Sequence, residues 1–128
     1  MKIDIIKTTV LRMINLHPND DFAMEECWKV ETDLLSENVS ETIRFLQTQC
    51  TDEELYWLSS VFSDISERVQ SKELVEAMRA RLARVTRETY DQASFNSEHM
   101  RKWVDYDEYV RSVGMEIDYA EGALNEFP

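Results

Sequence analysis

The stretch TDEELYWLSSVFSDISERV, from Thr51 to Val69, decides the fold. Its large apolar residues recur at intervals of three, four, three and four, which places them along one side of an α-helix; they are Leu55, Leu58, Phe62, Ile65 and Val69. Thr51 and Glu54 have the spacing of a capping box, in which each side chain binds the backbone N–H of the other residue. The pattern therefore predicts one helix, capped by Thr51 and continuing to Val69.

Two further apolar-periodic segments flank this helix at very short range. Cys50 and Thr51 separate it from the segment before, and Gln70 and Ser71 separate it from the segment after, where Ser71 can cap the next helix. Connections of two residues join helices into antiparallel hairpins. The middle of the chain is therefore predicted to contain three helices packed side by side.

The N-terminal third of the chain predicts three helices. The first covers about residues 2–16 and stops before Pro18, because proline disfavours helical geometry in the residue before it. The second covers about residues 22–35, with an apolar stripe and with Glu31 among its polar positions; the stripe is Ala23, Cys27, Val30 and Leu34. Ser40 is predicted to cap the third.

Periodicity is weaker after residue 86. Ser97 is predicted to cap a short helix, and the pair Asp105 and Glu108 is predicted to cap another. Gly114 is predicted to end that helix, since glycine favours helix termini. Residues 115–124 then form a short final helix, and residues 125–128 form a frayed tail.

The composition favours an all-α fold in a single domain, residues 1–128. The chain has only two glycines and two prolines, which leaves little material for the turns of a β-rich domain. Six or seven short antiparallel helices are predicted. The hairpin lengths favour a HEAT-like stack of helix hairpins, and a compact helical bundle is the alternative.

The net charge of −12 is unevenly distributed. The basic segment 68–87 lies between two acidic ones, and its helix 71–87 is expected to point Arg79, Arg81, Arg84 and Arg87 mostly outward. Those arginines either contact phosphate or RNA or pair with the acidic neighbours. The overall charge argues against direct binding to nucleic acid or to an anionic membrane, and it favours a basic partner. The alternative is that acidic surfaces only maintain solubility.

The residues needed for common catalytic sites are missing. The two histidines, His17 and His99, belong to no zinc, di-iron or phosphohydrolase motif, and the two glycines form no phosphate-binding loop. We therefore expect no catalysis, no cofactor and no metal. Cys27 and Cys50 form no disulfide framework, and the first helix carries charges among its apolar positions. Both observations favour a cytoplasmic location.

Two groups of aromatic and acidic residues are candidates for partner binding. The first group lies beside the main stripe of helix 51–69: Tyr56, Trp57, Ser60 and Asp64. The second lies in an acidic run that also includes Tyr109: Trp103, Asp105, Tyr106, Asp107 and Glu108. Aromatic residues among carboxylates suit a basic protein partner, because they combine a large contact area with a polar tip. Packing into the core is the alternative for these aromatics.

The segment EELYWLSSVFSDISERVQSKELVEAMRARL, residues 53–82, resembles small all-helical immunity proteins of bacterial contact-dependent growth inhibition and polymorphic toxin systems. The similar features are E-E-L-x-W-L-S-x-V-F-x-D-I followed by Q-S-K-E-L and a basic stretch. The motif covers about a quarter of the chain and contains no catalytic residues.

The resemblance implies a protein that binds one cognate toxin domain, often a nuclease, and occludes its active site. An EndoU-type RNase is the first candidate for that toxin, and a monomer in a 1:1 complex is expected. Negative charge suits such a partner, since nuclease domains present cationic grooves. The alternative is an acidic adaptor or nucleic-acid mimic that sequesters a basic nucleic-acid-binding protein.

Overall fold

The computed structural model describes residues 1–125, and this part of the chain contains helices and no strand. The α-helices are α1 (Ile3–Asn15), α2 (Asp21–Ser36), α3 (Val39–Thr48), α4 (Asp52–Leu58), α5 (Phe62–Val69), α6 (Lys72–Ala83), α7 (Arg87–Gln92), α8 (Glu98–Trp103) and α9 (Tyr106–Gly122). A 3-10 turn, Ser59–Val61, joins α4 to α5. The prediction of an all-α fold is confirmed.

Local capping signals in the sequence identify most of the helix starts. Thr51 and Glu54 form the predicted capping box at α4. Ser71, Ser97 and Asp105 each accept a hydrogen bond from the backbone N–H three residues later, as predicted for α6, α8 and α9. The cap of α3 is different, because Asn38 rather than Ser40 accepts the bond, from the N–H of Glu41.

The prediction of one unbroken helix from residue 51 to residue 69 is wrong. The hydroxyls of Ser59 and Ser60 donate to the carbonyl oxygens of Tyr56 and Trp57 at 2.6 and 2.8 Å. Such local side-chain bonds compete with the helix ladder, and the backbone tightens there into the 3-10 turn. The predicted apolar side is nevertheless buried on both sides of the 3-10 turn. The buried residues are the first four of its stripe: Leu55, Leu58, Phe62 and Ile65.

The prediction that Gly114 ends a helix is also wrong. Helix α9 continues through it to Gly122, so residues 115–122 are the second half of α9 and not a separate helix. The apolar positions Val113, Ile117 and Ala120 are all fully buried, and this packing maintains the helix across the glycine. In the predicted tail, the N–H of Asn125 donates to Gln70 Oε1 at 2.7 Å, and residues 126–128 lie outside the described part of the chain.

Helix α5 lies at the centre of the fold. Helix α9 packs along α5 and α6, α2 packs on α5, α1 contacts α2 and α4, and α3 contacts α6. In a linear stack each helix pair would contact only its neighbours in sequence. Here the C-terminal helix returns to the centre, so the packing is that of the compact bundle that the sequence left as the alternative.

The arginines of the basic segment bind neighbouring parts of the chain. Arg79 pairs with Asp118 and Glu121, Arg87 pairs with Asp107, and Arg84 donates to the carbonyl oxygen of Gln47. Of the two interpretations of these arginines, the structure therefore supports pairing with neighbours.

Arg81 is buried rather than outward. It is 5% exposed, and it donates to the Cys50 carbonyl oxygen from Nε and Nη2 at 3.2 and 2.9 Å. Its Nη2 also lies 2.5 Å from Asp52 Oδ1. The outward placement predicted for Arg81 is wrong, because this side chain fixes the connection between α3 and α4.

Helix α2 is rotated from the orientation that its apolar residues predict. Glu31 is completely buried, whereas Val30 is exposed and Leu34 is only partly covered. Neither carboxyl oxygen of Glu31 has a hydrogen-bond partner among the described residues. Burial raises the pKa of Glu31 to about 8, because a charged carboxylate is poorly solvated there. Its position on the polar side of α2 was therefore predicted wrongly.

A membrane-spanning helix requires a long apolar run. Within residues 1–125, every helix is too short or too polar to cross a bilayer.

Candidate partner-binding site

A cleft lies between the end of α4 and the middle of α9. Its volume is about 220 Å³, and its walls are formed by Tyr56, Trp57, Ser59, Ser60, Ser112 and Glu116. Ser59 and Ser60 of the 3-10 turn line this site beside the two aromatic residues of α4. Three of the residues predicted for partner binding therefore border a single concave surface.

Tyr56 forms a wall whose position is fixed by its neighbours. Its ring stacks on Tyr109 with the centroids 5.9 Å apart, and it meets Trp57 edge to face at 5.7 Å. Tyr109 is fully buried, and its hydroxyl donates to the backbone carbonyl oxygen of Asp52 at 2.6 Å. Tyr56 Oη lies 3.4 Å from His99 Nε2. The aromatic wall thus connects α4 to α8 and α9.

Glu116 is the carboxylate that lines the cleft, and the charges of Asp64 and Glu108 act on the cleft residues. Partial burial and the nearby charge of Asp64 raise the pKa of Glu116, in that order of importance. Burial and the charge of Glu108 raise the pKa of Tyr56. Glu108 is neutralised by Arg111, with nitrogen to oxygen distances of 2.6 and 3.0 Å. Within residues 1–125, Asp64 and Glu116 form no ion pair, so their charge is free to act on a partner.

Asp64 lines a different concave surface from the α4–α9 cleft. It lines a cavity between α2 and α5 together with Trp28 and Arg68. Arg68 is bound to Asp33 at 2.8 Å. Of the residues predicted for partner binding, Asp64 is therefore the one that lines this separate cavity.

The second predicted group is more dispersed. Asp107 pairs with Arg87 at 2.8 Å, and the Arg87 guanidinium lies 4.9 Å from the centre of the Tyr106 ring. The Tyr106 hydroxyl donates to the carbonyl oxygen of Val85 at 3.1 Å. Asp105 caps α9. These residues mainly hold α9 against the end of α6, so their charge is less available than the sequence suggested.

The remaining aromatics of that run differ in accessibility. Trp103 is 74% exposed, whereas Tyr109 has no exposed surface. The core alternative therefore applies to Tyr109, and Trp103 remains accessible to a partner. Among the acids of the run, Glu108 is the one whose charge contributes to the raised pKa of Tyr56.

Sequence reasoning missed Ser112, Glu116 and His99. Glu108, Ser112 and Glu116 are spaced by four residues, which places them on one side of a helix. That signal was hidden by the incorrect helix stop at Gly114, which assigned Glu116 to a different helix. The pairing of His99 with Tyr56 had no local signal, since these residues are 43 positions apart.

A larger cavity, about 500 Å³, lies between α1, the start of α4 and the loop 93–96. Its charged groups have partners within the chain. Glu54 pairs with Lys7 at 2.7 Å, Asp52 with Arg81, and Glu53 accepts from the backbone N–H groups of Asn96 and Ser97 at 3.1 and 2.8 Å. The three acids therefore have structural roles, and this cavity has weaker support as a binding site than the α4–α9 cleft.

The described residues form no metal site, and comparison with known proteins gives no family for the chain. Among residues 1–125, no group of three or more His, Cys, Asp or Glu side chains is placed to hold a metal ion. No protein-family model, curated protein or solved structure matches the chain. Function is therefore inferred from the cleft and from the sequence of the chain.

Proposed function

We propose that this chain is an immunity protein that binds a cognate bacterial toxin domain, a nuclease, and blocks its active site. The observation that carries the proposal is the α4–α9 cleft, where Tyr56 and Trp57 line one surface together with Glu116. The charge of Asp64 acts on this surface, since it contributes to the raised pKa of Glu116. These carboxylates form no ion pair within residues 1–125, whereas Arg79, Arg81, Arg84 and Arg87 bind other parts of the chain.

Charge complementarity supports this proposal. A nuclease neutralises phosphates with cationic groups, so its active-site groove attracts an acidic surface. Complementary charge increases the association rate and disfavours wrong partners. Fixed aromatic rings supply the contact area that typical binding hot spots require. The cleft offers both features.

The resemblance of residues 53–82 to immunity proteins supports the same class of function. That segment forms α4, the 3-10 turn, α5 and most of α6, so it contributes one wall of the cleft. In this proposal the chain acts in the cytoplasm, has no catalytic activity and binds as a monomer in a 1:1 complex. An EndoU-type RNase is the first candidate for the toxin.

The test is co-expression with any toxin-like domain that is encoded immediately upstream of this chain. The native chain should restore growth and form a stoichiometric complex. The double variant Asp64→Lys/Glu116→Lys should slow association about tenfold or more at low salt and reduce its salt dependence. The control Glu73→Lys/Glu76→Lys changes the same number of charges on α6, away from the cleft, and should have a much smaller effect.

Two results would contradict the proposal. The first is a lack of both growth rescue and complex formation with that domain. The second is binding of a host nucleic-acid-binding protein in competition with DNA or RNA, which would favour the adaptor or mimic. Equal effects of the two double variants would place the interface elsewhere on the acidic surface.

A further inference from the structure

The cavity between α1, the start of α4 and the loop 93–96 has the size of a ligand site. Its volume is about 500 Å³. Sites for small molecules usually have volumes of roughly 300 to 1,000 Å³, and they often lie between the helices of bundles. None of the residues that line this cavity also lines the α4–α9 cleft. The cavity is therefore a separate surface from the one assigned to the protein partner.

Two sides of the cavity are attached to the first turn of α4. Lys7 Nζ, on α1, binds Glu54 Oε1 and Oε2 at 2.7 and 3.0 Å. On the loop side, Glu53 Oε1 accepts from the backbone N–H of Asn96 at 3.1 Å, and Glu53 Oε2 accepts from that of Ser97 at 2.8 Å. Because α1 and the loop are both bound to α4, the space between them is preformed.

Apolar side chains cover the α1 side and the loop side of this space. They are Val10, Leu11, Ile14, Ala93 and Phe95. Val10 is part of the core, whereas Leu11 is 46% exposed. The Phe95 ring packs on Tyr90, with the two ring centroids 5.0 Å apart. An apolar molecule in contact with Leu11 would remove apolar surface from water, which is favourable.

Four charged side chains line the cavity, and each of them has a partner within the chain. Lys7 forms an ion pair with Glu54, and Asp52 forms one with Arg81. Both oxygens of Glu53 accept hydrogen bonds from backbone N–H groups. A charged ligand would either break one of these interactions or enter an apolar site without a counter-ion, and both cost free energy. A neutral ligand leaves all of them in place.

We propose that this cavity binds one neutral and mainly apolar small molecule between α1 and the loop 93–96. Ser94 is exposed and lines the cavity, so its hydroxyl is placed to bind a polar group of that molecule. The proposal goes beyond the immunity function, because it uses different residues and a ligand that is not the toxin.

The test uses three probes with the same pair of fused rings, titrated into the ¹⁵N-labelled full chain. At neutral pH, 1-naphthalenemethanol is neutral, 1-naphthylmethylamine is a cation and 1-naphthoate is an anion. The neutral probe should shift the amides of Leu11, Ile14, Ser94 and Phe95 in a saturable way. Each charged probe should bind at least about tenfold more weakly, because burial of a charge without a counter-ion is costly.

A matched pair of substitutions on α1 locates the site. Leu11→Glu places a charge in the lining and should weaken binding of the neutral probe about tenfold. The control Ile5→Glu changes a residue of the same helix that is 44% exposed and lies outside the lining, so it should leave the binding unchanged. The unbound spectra show whether each variant is folded, and the titration of the native chain tests the proposal without any substitution.

Three results would overturn the proposal. The first is the absence of saturable shifts at the lining residues of the native chain, or saturable shifts at the α4–α9 cleft instead. The second is binding of either charged probe that equals or exceeds that of the neutral one. The third is a toxin complex that is weakened by Leu11→Glu but not by Ile5→Glu, while the native chain binds no neutral probe. That result would assign the cavity to a protein interface.

Discussion

Replacing Glu31 with glutamine should remove most of the pH dependence of stability between pH 5 and pH 8. The Glu31 carboxyl is completely buried on α2, and neither oxygen has a hydrogen-bond partner within residues 1–125. Its pKa is raised from an ordinary value of 4.5 to about 8. The folded chain therefore keeps a proton on Glu31 that the unfolded chain releases at neutral pH.

The sign and size of the effect follow from proton linkage. A raised pKa in the folded state gives a contribution to stability that is fully present below about pH 4.5 and is lost as the pH rises through about 8. The slope approaches 1.4 kcal/mol for each pH unit between these values. From pH 5 to pH 7 the native chain should lose roughly 2.5 kcal/mol of unfolding free energy from this group, and roughly 3.5 kcal/mol by pH 8.

The assay is urea unfolding of three chains at intervals of half a pH unit. The native chain should show the slope, and Glu31→Gln should show little of it, because glutamine is neutral throughout the range. The control Glu25→Gln removes an exposed carboxyl from the same helix and should keep the native slope. Parallel profiles for the native chain and Glu31→Gln would refute the reasoning, since they would mean that Glu31 does not retain its proton on folding.

Three further substitutions test the contacts that join the helices. Arg81→Met leaves the Cys50 carbonyl oxygen without its two donors and should lower the unfolding free energy by about 2–4 kcal/mol; a loss below about 1 kcal/mol in urea unfolding would contradict this role. Glu53→Gln should increase hydrogen exchange at the start of α8, because one amide oxygen cannot replace the carboxylate that holds Asn96 and Ser97; uniform exchange rates across the chain would argue against it. Gln70 is left-handed, with φ of 52°, so Gln70→Ala should be about 1 kcal/mol less stable than Gln70→Gly; equal unfolding midpoints would exclude backbone strain at this position.

Local signals in the sequence predicted the helices more reliably than their packing. The caps at Thr51, Ser71, Ser97 and Asp105 depend on residues three positions apart, so they can be identified without a fold. Gly114 misled the prediction because helix propensity is weak compared with burial of the residues around it. A Cβ atom at Gly114 would meet only Leu82 Cδ2, at an ordinary 3.8 Å. Nothing in the packing therefore requires a glycine or a helix stop there.

Charged residues were the main source of error in predicting the core. Glu31 and Arg81 were placed on exposed sides because charged groups are rarely buried. Arg81 is buried because its hydrogen-bond partners come from the α3–α4 connection, about thirty residues away along the chain. Such partners cannot be found from periodicity. Periodicity is limited in the same way at the cleft. Tyr56, Trp57 and Ser60 can be identified within the segment 51–69, whereas Glu116 can be identified only if α9 is known to continue past Gly114.

The first turn of α4 has a consequence for how the chain folds. Glu54 reaches back 47 residues to Lys7, Asp52 reaches forward 29 residues to Arg81, and Glu53 reaches forward 43 and 44 residues to Asn96 and Ser97. Three long loops therefore close at three adjacent residues, and each closure reduces the freedom of a different part of the chain. Once this turn has formed its bonds, segments that are distant in the sequence are held next to one another. The segments around Lys7, Arg81 and Asn96 should therefore unfold together, as a cooperative transition requires.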